Sequence, residues 1–341
     1  MILSSHKRQW WIGGTALVCV LACGCGPRRS SSQTSAPSRT GLISINPQFD
    51  SAEQFSEGLA AVRIGNKWGF IDHQGKFVIN PQFDSAGQFS EGLASVTVGE
   101  YKTAKLGFID KQGHYVVNPQ FDSGGLFTEG SARVRIGDWT TGMWGFIDKK
   151  GHYALDPQLG VPDKFSEGLA ARTESTWGRW GFIDYQGKFV VNPQFDFAEQ
   201  FSEGLAAVGI GGKAGKWGFI DQQGKFVINP QFDWAGTFSE GLSEVRDAKT
   251  GKWGFIDHQG GFVINPRFGT PASYLVRVDQ FHDGLVAVRI GEDVNSKYGY
   301  IDKQGSFIVN PQFARAEQFS EGLAAVLIGD NENGKWGYII R

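Results

Sequence analysis

The chain has 341 residues and a formal net charge of −2, which gives no electrostatic ground for nucleic acid or an anionic membrane surface as a partner. Its 27 Phe and 11 Trp supply ample apolar surface for a packed core, and its 48 Gly mark a chain that turns often, so disorder is excluded except near the termini. Cys19, Cys23 and Cys25 are the only cysteines, which leaves the rest of the chain without a disulfide framework or a cysteine-based metal site.

Lys7 and Arg8 precede an apolar stretch from Trp10 to Ala22, about the length of a signal-peptide hydrophobic region and short for a membrane span. Residues 1–25 therefore read as an export signal. Within them Val20-Leu21-Ala22-Cys23-Gly24-Cys25 resembles the lipobox at which exported bacterial lipoproteins are cut and diacylated. That resemblance implies a lipid on Cys23, which follows Leu21-Ala22, or on Cys25, and lipid there would hold the protein at a bilayer. An ordinary cleaved signal and an uncleaved anchor are the alternatives. Gly24 or Gly26, not Asp, follows the lipid-bearing cysteine, which favours an outer-membrane or surface location over an inner-membrane one. Residues 26–41, with Arg28, Arg29 and many Ser and Thr, read as a flexible polar tether.

From residue 41 to 341 one unit recurs: Asn46-Pro47-Gln48-Phe49, then Phe55-Ser56-Glu57-Gly58-Leu59-Ala60, then Trp68-Gly69-Phe70-Ile71-Asp72, then a turn and Phe77-Val78-Ile79. Its Trp-Gly step falls at Trp68, Leu106, Trp144, Trp180, Trp217, Trp253, Tyr298 and Trp336. Such a period makes one domain of stacked or ring-arranged supersecondary units. Leu59 to Ile64, Trp68 to Asp72 and Lys76 to Ile79 are rich in β-branched and aromatic residues and predict three strands per unit. Phe49 to Phe55 is left open as a short fourth. Asp72-His73-Gln74-Gly75 predicts a hairpin turn, Pro47 is expected to end the strand before it, and the glycine of Trp-Gly is expected where neighbouring backbone passes close.

The run Lys67-Trp68-Gly69-Phe70-Ile71-Asp72 followed by Gly75-Lys76-Phe77-Val78-Ile79-Asn80-Pro81-Gln82-Phe83 resembles the WG-repeat, or KWG, proteins across the whole repeated region. The resemblance implies an architecture and carries no catalytic residues. The last unit stops at Trp336 to Arg341 without its turn and third strand, whereas Gly41 to Asn46 matches that missing strand. Each end thus supplies what the other lacks, which predicts an all-β, eight-bladed propeller sealed by its N- and C-terminal strands. An open β-solenoid is the alternative. The longest interval, from Trp253 to Tyr298, is assigned to an insertion near Gly269 to Val278.

Residues present in every unit are read as serving the unit. The series Glu57, Glu91, Glu129, Glu167, Glu203, Glu240, Asp283 and Glu321 is thus expected to accept hydrogen bonds from turn amides and not to form acid–base pairs. His73, His114, His152, His258 and His282 lie in separate units and read as solvated turn residues, and no metal site is expected. Gly215-Lys216 is followed by Trp217, which is not a phosphate loop, and Asp330 to Gly334 lacks calcium-loop spacing. No catalytic residue and no cofactor are assigned. The unit-specific aromatics Tyr101, Trp139, Trp177 and Trp234, read as loop residues, are the candidates for contact with a ligand. Together these features predict a non-enzymatic binding or scaffolding module of the cell envelope that recognises a protein or glycan through its variable loops. A carbohydrate- or cell-wall-active enzyme with a site in a central channel, and a structural spacer, are the rival readings.

Overall fold

The computed structural model describes residues 40–100, 103–138, 140–158, 164–173, 178–268, 280–290 and 296–341. The expected insertion near Gly269 to Val278 lies outside them.

Each repeat builds one antiparallel sheet. In the first, Ser51–Ala52, Ala60–Ile64, Lys67–Ile71 and Phe77–Phe83 pair in that order. Ala60, Ala61 and Val62 are consecutively buried, as are Gly69, Phe70 and Ile71. Continuous burial, where a half-exposed strand would alternate, means that both sheet faces are covered. The outer strand Phe77–Phe83 returns to alternation, with Ile79 and Phe83 buried and Val78 and Asn80 exposed. Seven further sheets follow in chain order, at residues 85–121, 123–158, 170–195, 197–232, 234–268, 285–313 and 315–340. Six of the eight have four strands, so the segment left open in the sequence is a strand; the fourth and seventh show three among the described residues.

The eight sheets are blades of a ring. Each of eight core clusters joins one blade to the next: Phe70 of the first blade packs with Phe89, Ala94 and Val96 of the second, and Phe219 of the fifth with Phe238 and Val245 of the sixth. At every junction the aromatic after Trp-Gly meets the Phe before Ser-Glu-Gly in the following blade; Phe108–Phe127 and Phe182–Phe201, for example, have ring centroids 4.9 and 4.7 Å apart. The ring closes as the termini predict. Ile43–Phe49 pairs antiparallel with Lys335–Ile340 and completes the eighth blade, with Ile45 opposite Tyr338 and Phe49 opposite Trp336. Closure removes two exposed sheet edges, and the solenoid alternative falls.

One expectation is corrected. Proline does not end the outer strand, because Phe77–Phe83 runs through Pro81 and Ile43–Phe49 through Pro47. The outer strand is a sheet edge, where a missing N–H costs no ladder bond. It also bulges there: Phe70 faces Ile79 and Trp68 faces Phe83, so Gly69 alone opposes Asn80, Pro81 and Gln82. The bulge folds over the glycine of Trp-Gly. A Cβ on Gly218 would lie 2.5 Å from the Ile228 carbonyl oxygen and 2.7 Å from the Pro230 nitrogen, which explains why Trp can vary and this Gly does not. Gly218→Ala should therefore lower the urea midpoint by the equivalent of about 2 kcal/mol or more. Gly125→Ala, where a Cβ meets nothing within 4 Å, should shift it by less than about 0.5 kcal/mol.

Candidate functional site

The repeated polar residues are consumed by the junctions between blades. Ser56-Glu57-Gly58-Leu59 is a two-residue hairpin turn with φ of 54° at Glu57 and 87° at Gly58. Both central residues are left-handed, a turn that favours Asn or Gly at the first. The eight residues of the acidic series are the non-glycine residues with positive φ among the described residues. What keeps an acid there is reach. The Glu57 carboxylate accepts the Gly92 N–H of the next blade at 3.0 Å, Glu91 accepts Gly130, Glu203 accepts Gly241, and Glu321 accepts Gly58 across the closure. Ser56 Oγ donates to the Phe89 carbonyl at 2.7 Å, and Ser90, Ser166, Ser202 and Ser239 repeat the bond. The expectation of a turn-amide acceptor holds, with the amide belonging to the neighbouring blade.

The same carboxylates meet the residue after the Asp of the hairpin turn. Lys111 pairs with Glu57 at 3.2 Å and Lys149 with Glu91 at 3.0 Å. His73 pairs with Glu321 at 3.0 Å and stacks on Phe55, and His258 pairs with Glu203 at 3.2 Å and stacks on Phe238. These two histidines are therefore junction residues and not solvated ones; a partner in another unit is invisible to sequence spacing. His114 and His152 do stand in solvent beside their own turn aspartates. Tyr185 takes the position in the fourth blade, stacks on Phe165 and donates to Glu129; burial first, then that carboxylate, pushes its hydroxyl up to about 12. In the turn itself Asp72 accepts from Gln74 N and Lys76 N, with Gly75 at positive φ, as predicted.

A second ring of clamps runs through the lysine that precedes Trp-Gly. Lys67 reaches Asp84 of the next blade and Lys105 reaches Asp122, each at 2.6 Å, while Asp84 and Asp122 also accept the Gly99 and Gly137 amides. Lys335 and Asp50 form the equivalent pair across the closure. The Lys335 ammonium, with the Gly65 amide second, holds the Asp50 carboxyl below the usual carboxylate range.

Of the aromatics singled out in the sequence, Tyr101, Trp139 and Trp177 lie outside the described residues. Trp234 lies in the short first strand of the sixth blade, Trp234–Ala235, and not in a loop. It is half-buried between Trp217 and Trp253, at 6.2 and 5.1 Å between ring centroids, and so packs between blades. Cys23 and Cys25 also lie outside the described residues. Among those residues no group of three His, Cys, Asp or Glu could hold a metal ion.

What the sequence reading misses is a cavity of about 740 Å³. Beside the first strands, side-chain amides bridge neighbouring blades: Gln54 bonds Gln88 at 2.8 Å, and Gln280 bonds Thr237. The cavity reaches from Thr237 and Gln280 past Trp180, which packs at the junction of the fourth and fifth blades, to the junction between the third and fourth, where Arg133, Trp144, Lys164 and Arg172 line it. The cluster at this junction has four buried members among the described residues, Phe146, Phe165, Ala170 and Ile183. Aligning the units with one another contains the missed signal. Arg133 stands where the first blade has Ala61, Arg172 where it has Val62, and Lys164 where it has Gln54.

A closed ring of eight such sheets defines an eight-bladed β-propeller. The chain belongs to the WG-repeat family: the WG containing repeat matches at residues 39–68, 68–101, 107–138, 144–171, 180–213, 217–250, 253–292 and 298–336. No curated protein matches the chain. Among solved structures it is similar to a eukaryotic initiation factor, at 12% identity and a TM-score of 0.54 over 90% of this chain and 88% of that one. It is also similar to a puromycin hydrolase, at 12% identity and a TM-score of 0.45 over 73% of this chain and 50% of that one. The β-propeller domain of the Trilobed protease from Pyrococcus furiosus matches at 9% identity and a TM-score of 0.47, over 86% of this chain and 94% of that domain. At these identities the likeness is one of fold.

The Asp50 clamp gives a pH-dependent expectation. Its folded value is depressed, so its contribution is complete above the ordinary Asp value of about 3.9 and is lost as pH falls through the lower folded value. Asp50→Asn should cost about 1 kcal/mol in urea unfolding near neutral pH, since the pair is partly solvated, and the gap from the wild type should begin to narrow once the pH falls below the ordinary Asp value.

Proposed function

We propose that this propeller is a non-enzymatic binding or scaffolding module of the cell envelope, exported and held at a membrane by lipid on Cys23 or Cys25. The observation that carries the non-enzymatic part is the fate of the repeated carboxylates. They are engaged across blade junctions by amides, lysines and histidines, so the most abundant acid–base groups serve cohesion. The loops between second and third strands differ from unit to unit, and a rigid ring that presents variable loops is suited to recognition of a protein or glycan. Tyr101, Trp139 and Trp177 are the aromatics available to such a face.

The enzyme reading has one observation in its favour, because unit-specific polar residues from several blades meet in the cavity. The described lining, however, offers Glu199 as its one carboxylate, whereas sugar-cleaving sites ordinarily pair two.

The Trp139→Ala/Trp177→Ala double variant should keep its unfolding midpoint and capture at least about tenfold less partner from an envelope extract, the loss expected of aromatic anchors. Unchanged capture removes that face from the proposal. Cys23→Ser should abolish incorporation of a labelled fatty acid in a lipoprotein-processing host, with Cys25→Ser leaving it intact; the reverse pattern moves the anchor to Cys25, and labelling of both variants or neither overturns the lipid assignment.

A further inference from the structure

We propose that the ring has a built-in point of opening between its third and fourth blades, latched by Tyr185 on Glu129. The inference concerns the fold, and it holds whether or not the module binds a protein or glycan.

Seven of the eight junctions share one joint with three parts. A leucine of one blade is buried against the next, as Leu59, Leu205 and Leu323 are. The carboxylate two residues before it accepts the following blade's glycine amide, from Glu57 with Gly92 round to Glu321 with Gly58. A turn glycine packs on a branched side chain of the preceding blade's outer strand: a Cβ on Gly113 would lie 3.3 Å from Ile79, and one on Gly224 2.9 Å from Val191.

Among the described residues the junction of the third and fourth blades shows none of these parts. Ser131 stands at the leucine position. Glu129 accepts the Tyr185 hydroxyl where the others accept a glycine amide. A Cβ on Gly187 would meet only Arg172, of its own blade, within 4 Å. Met143, which carries no charge, replaces the lysine that crosses elsewhere as Lys67 does. Arg133 and Arg172 replace the first blade's Ala61 and Val62, and Arg133 lies over Trp144 of its own blade, 3.7 Å from the ring centroid.

Packing across the gap is looser in consequence. The shared cluster has four buried members among the described residues, and each of the other seven has at least eight. Phe146 and Phe165 are 5.5 Å apart between centroids, against 4.7 to 5.0 Å for the same pair at the other junctions. A cavity of about 740 Å³ reaches the gap. Local opening follows the fewest buried apolar contacts, which places it here and not at the strand closure, where Glu321 reaches Gly58, Lys335 pairs with Asp50 and the cluster is the largest of the eight. Tyr185 bridges the gap: it lies on Phe165 of the fourth blade, 4.3 Å between centroids, while its hydroxyl holds Glu129 of the third. Parting there would admit solutes to the cavity with the strand closure intact.

The test is peptide-resolved labelling of buried thiols by N-ethylmaleimide in the full chain, whose repeats contain no cysteine. Ala60, Ala94, Ala170 and Ala206 are equivalent positions, 1% exposed or less, at the closure and at the first–second, third–fourth and fourth–fifth junctions. Each is replaced singly by Cys, with the unfolding midpoint checking the fold. Ala170→Cys should label at least about tenfold faster than the other three, the least expected from the lost burial of one leucine. Ile183→Cys against Ile220→Cys repeats the comparison from the neighbouring strands. Ser131→Leu, which restores the residue of the other units, should slow labelling of Ala170→Cys; Tyr185→Phe should speed it and leave Ala206→Cys unchanged. Equal rates at the four positions, fastest labelling at Ala60→Cys, or no labelling of Ala170→Cys short of global unfolding overturns the opening point. A rate at Ala170→Cys that Tyr185→Phe does not move overturns the latch.

Discussion

The carboxylate that crosses from one blade to the next organises this molecule. A glutamate in left-handed backbone is strained by roughly 1 kcal/mol or more, and the chain repeats that strain at Glu57 and its counterparts around the ring. The turn must be tight to bring the first two strands together, and the side chain must be long enough to reach the following blade's glycine amide. Gly92 and Gly58 can take the receiving position because glycine also supplies the second left-handed residue of its own turn. Most of these turns are thus donor and recipient, which couples the local conformation of one hairpin to its neighbour's; at the third–fourth junction Glu129 accepts from Tyr185 instead. Lys67–Asp84 and its equivalents add a second set of clamps. Individually these partly exposed pairs contribute little; their effect is to fix the angle at which apolar faces such as Phe70 and Phe89 meet.

Much of this is legible in the sequence because the fold is written eight times. Period, strand positions, the Asp-x-x-Gly turns and the complementary termini each follow from residues that recur. Pro47 and Pro81 mislead because the ladder rule for proline applies to central strands, and only the ring shows that these strands are edges carrying a bulge. His73 and His258 mislead because their partners, Glu321 and Glu203, lie in other units. Trp234 passes for a loop residue because a two-residue strand has no periodicity to detect. The cavity escapes for another reason. Conspicuous aromatics draw attention from Arg133 and Arg172, whose information lies in what they replace.

A repeat protein makes such replacements easy to interpret. Other junctions act as internal references, so an arginine at an alanine position is a departure from the repeat and not merely an arginine. Regularity secures cohesion, and the departures are where one blade is distinguished from another. The junction between the third and fourth blades concentrates them, with Arg133, Lys164, Arg172 and Tyr185 all differing from the first blade's Ala61, Gln54, Val62 and His73.

The pairing of Ile43–Phe49 with Lys335–Ile340 also governs when the molecule can become whole. A strand that precedes the first blade has its partner after the eighth, a contact of very high sequence separation that must wait for all the blades between them. Until then the growing array has two open edges and at least one unpartnered apolar face, the features that invite pairing with another copy. A ring of this kind therefore commits late: its early blades can form from local hairpins as they emerge, but protection from misassembly arrives in one step, with the final strand.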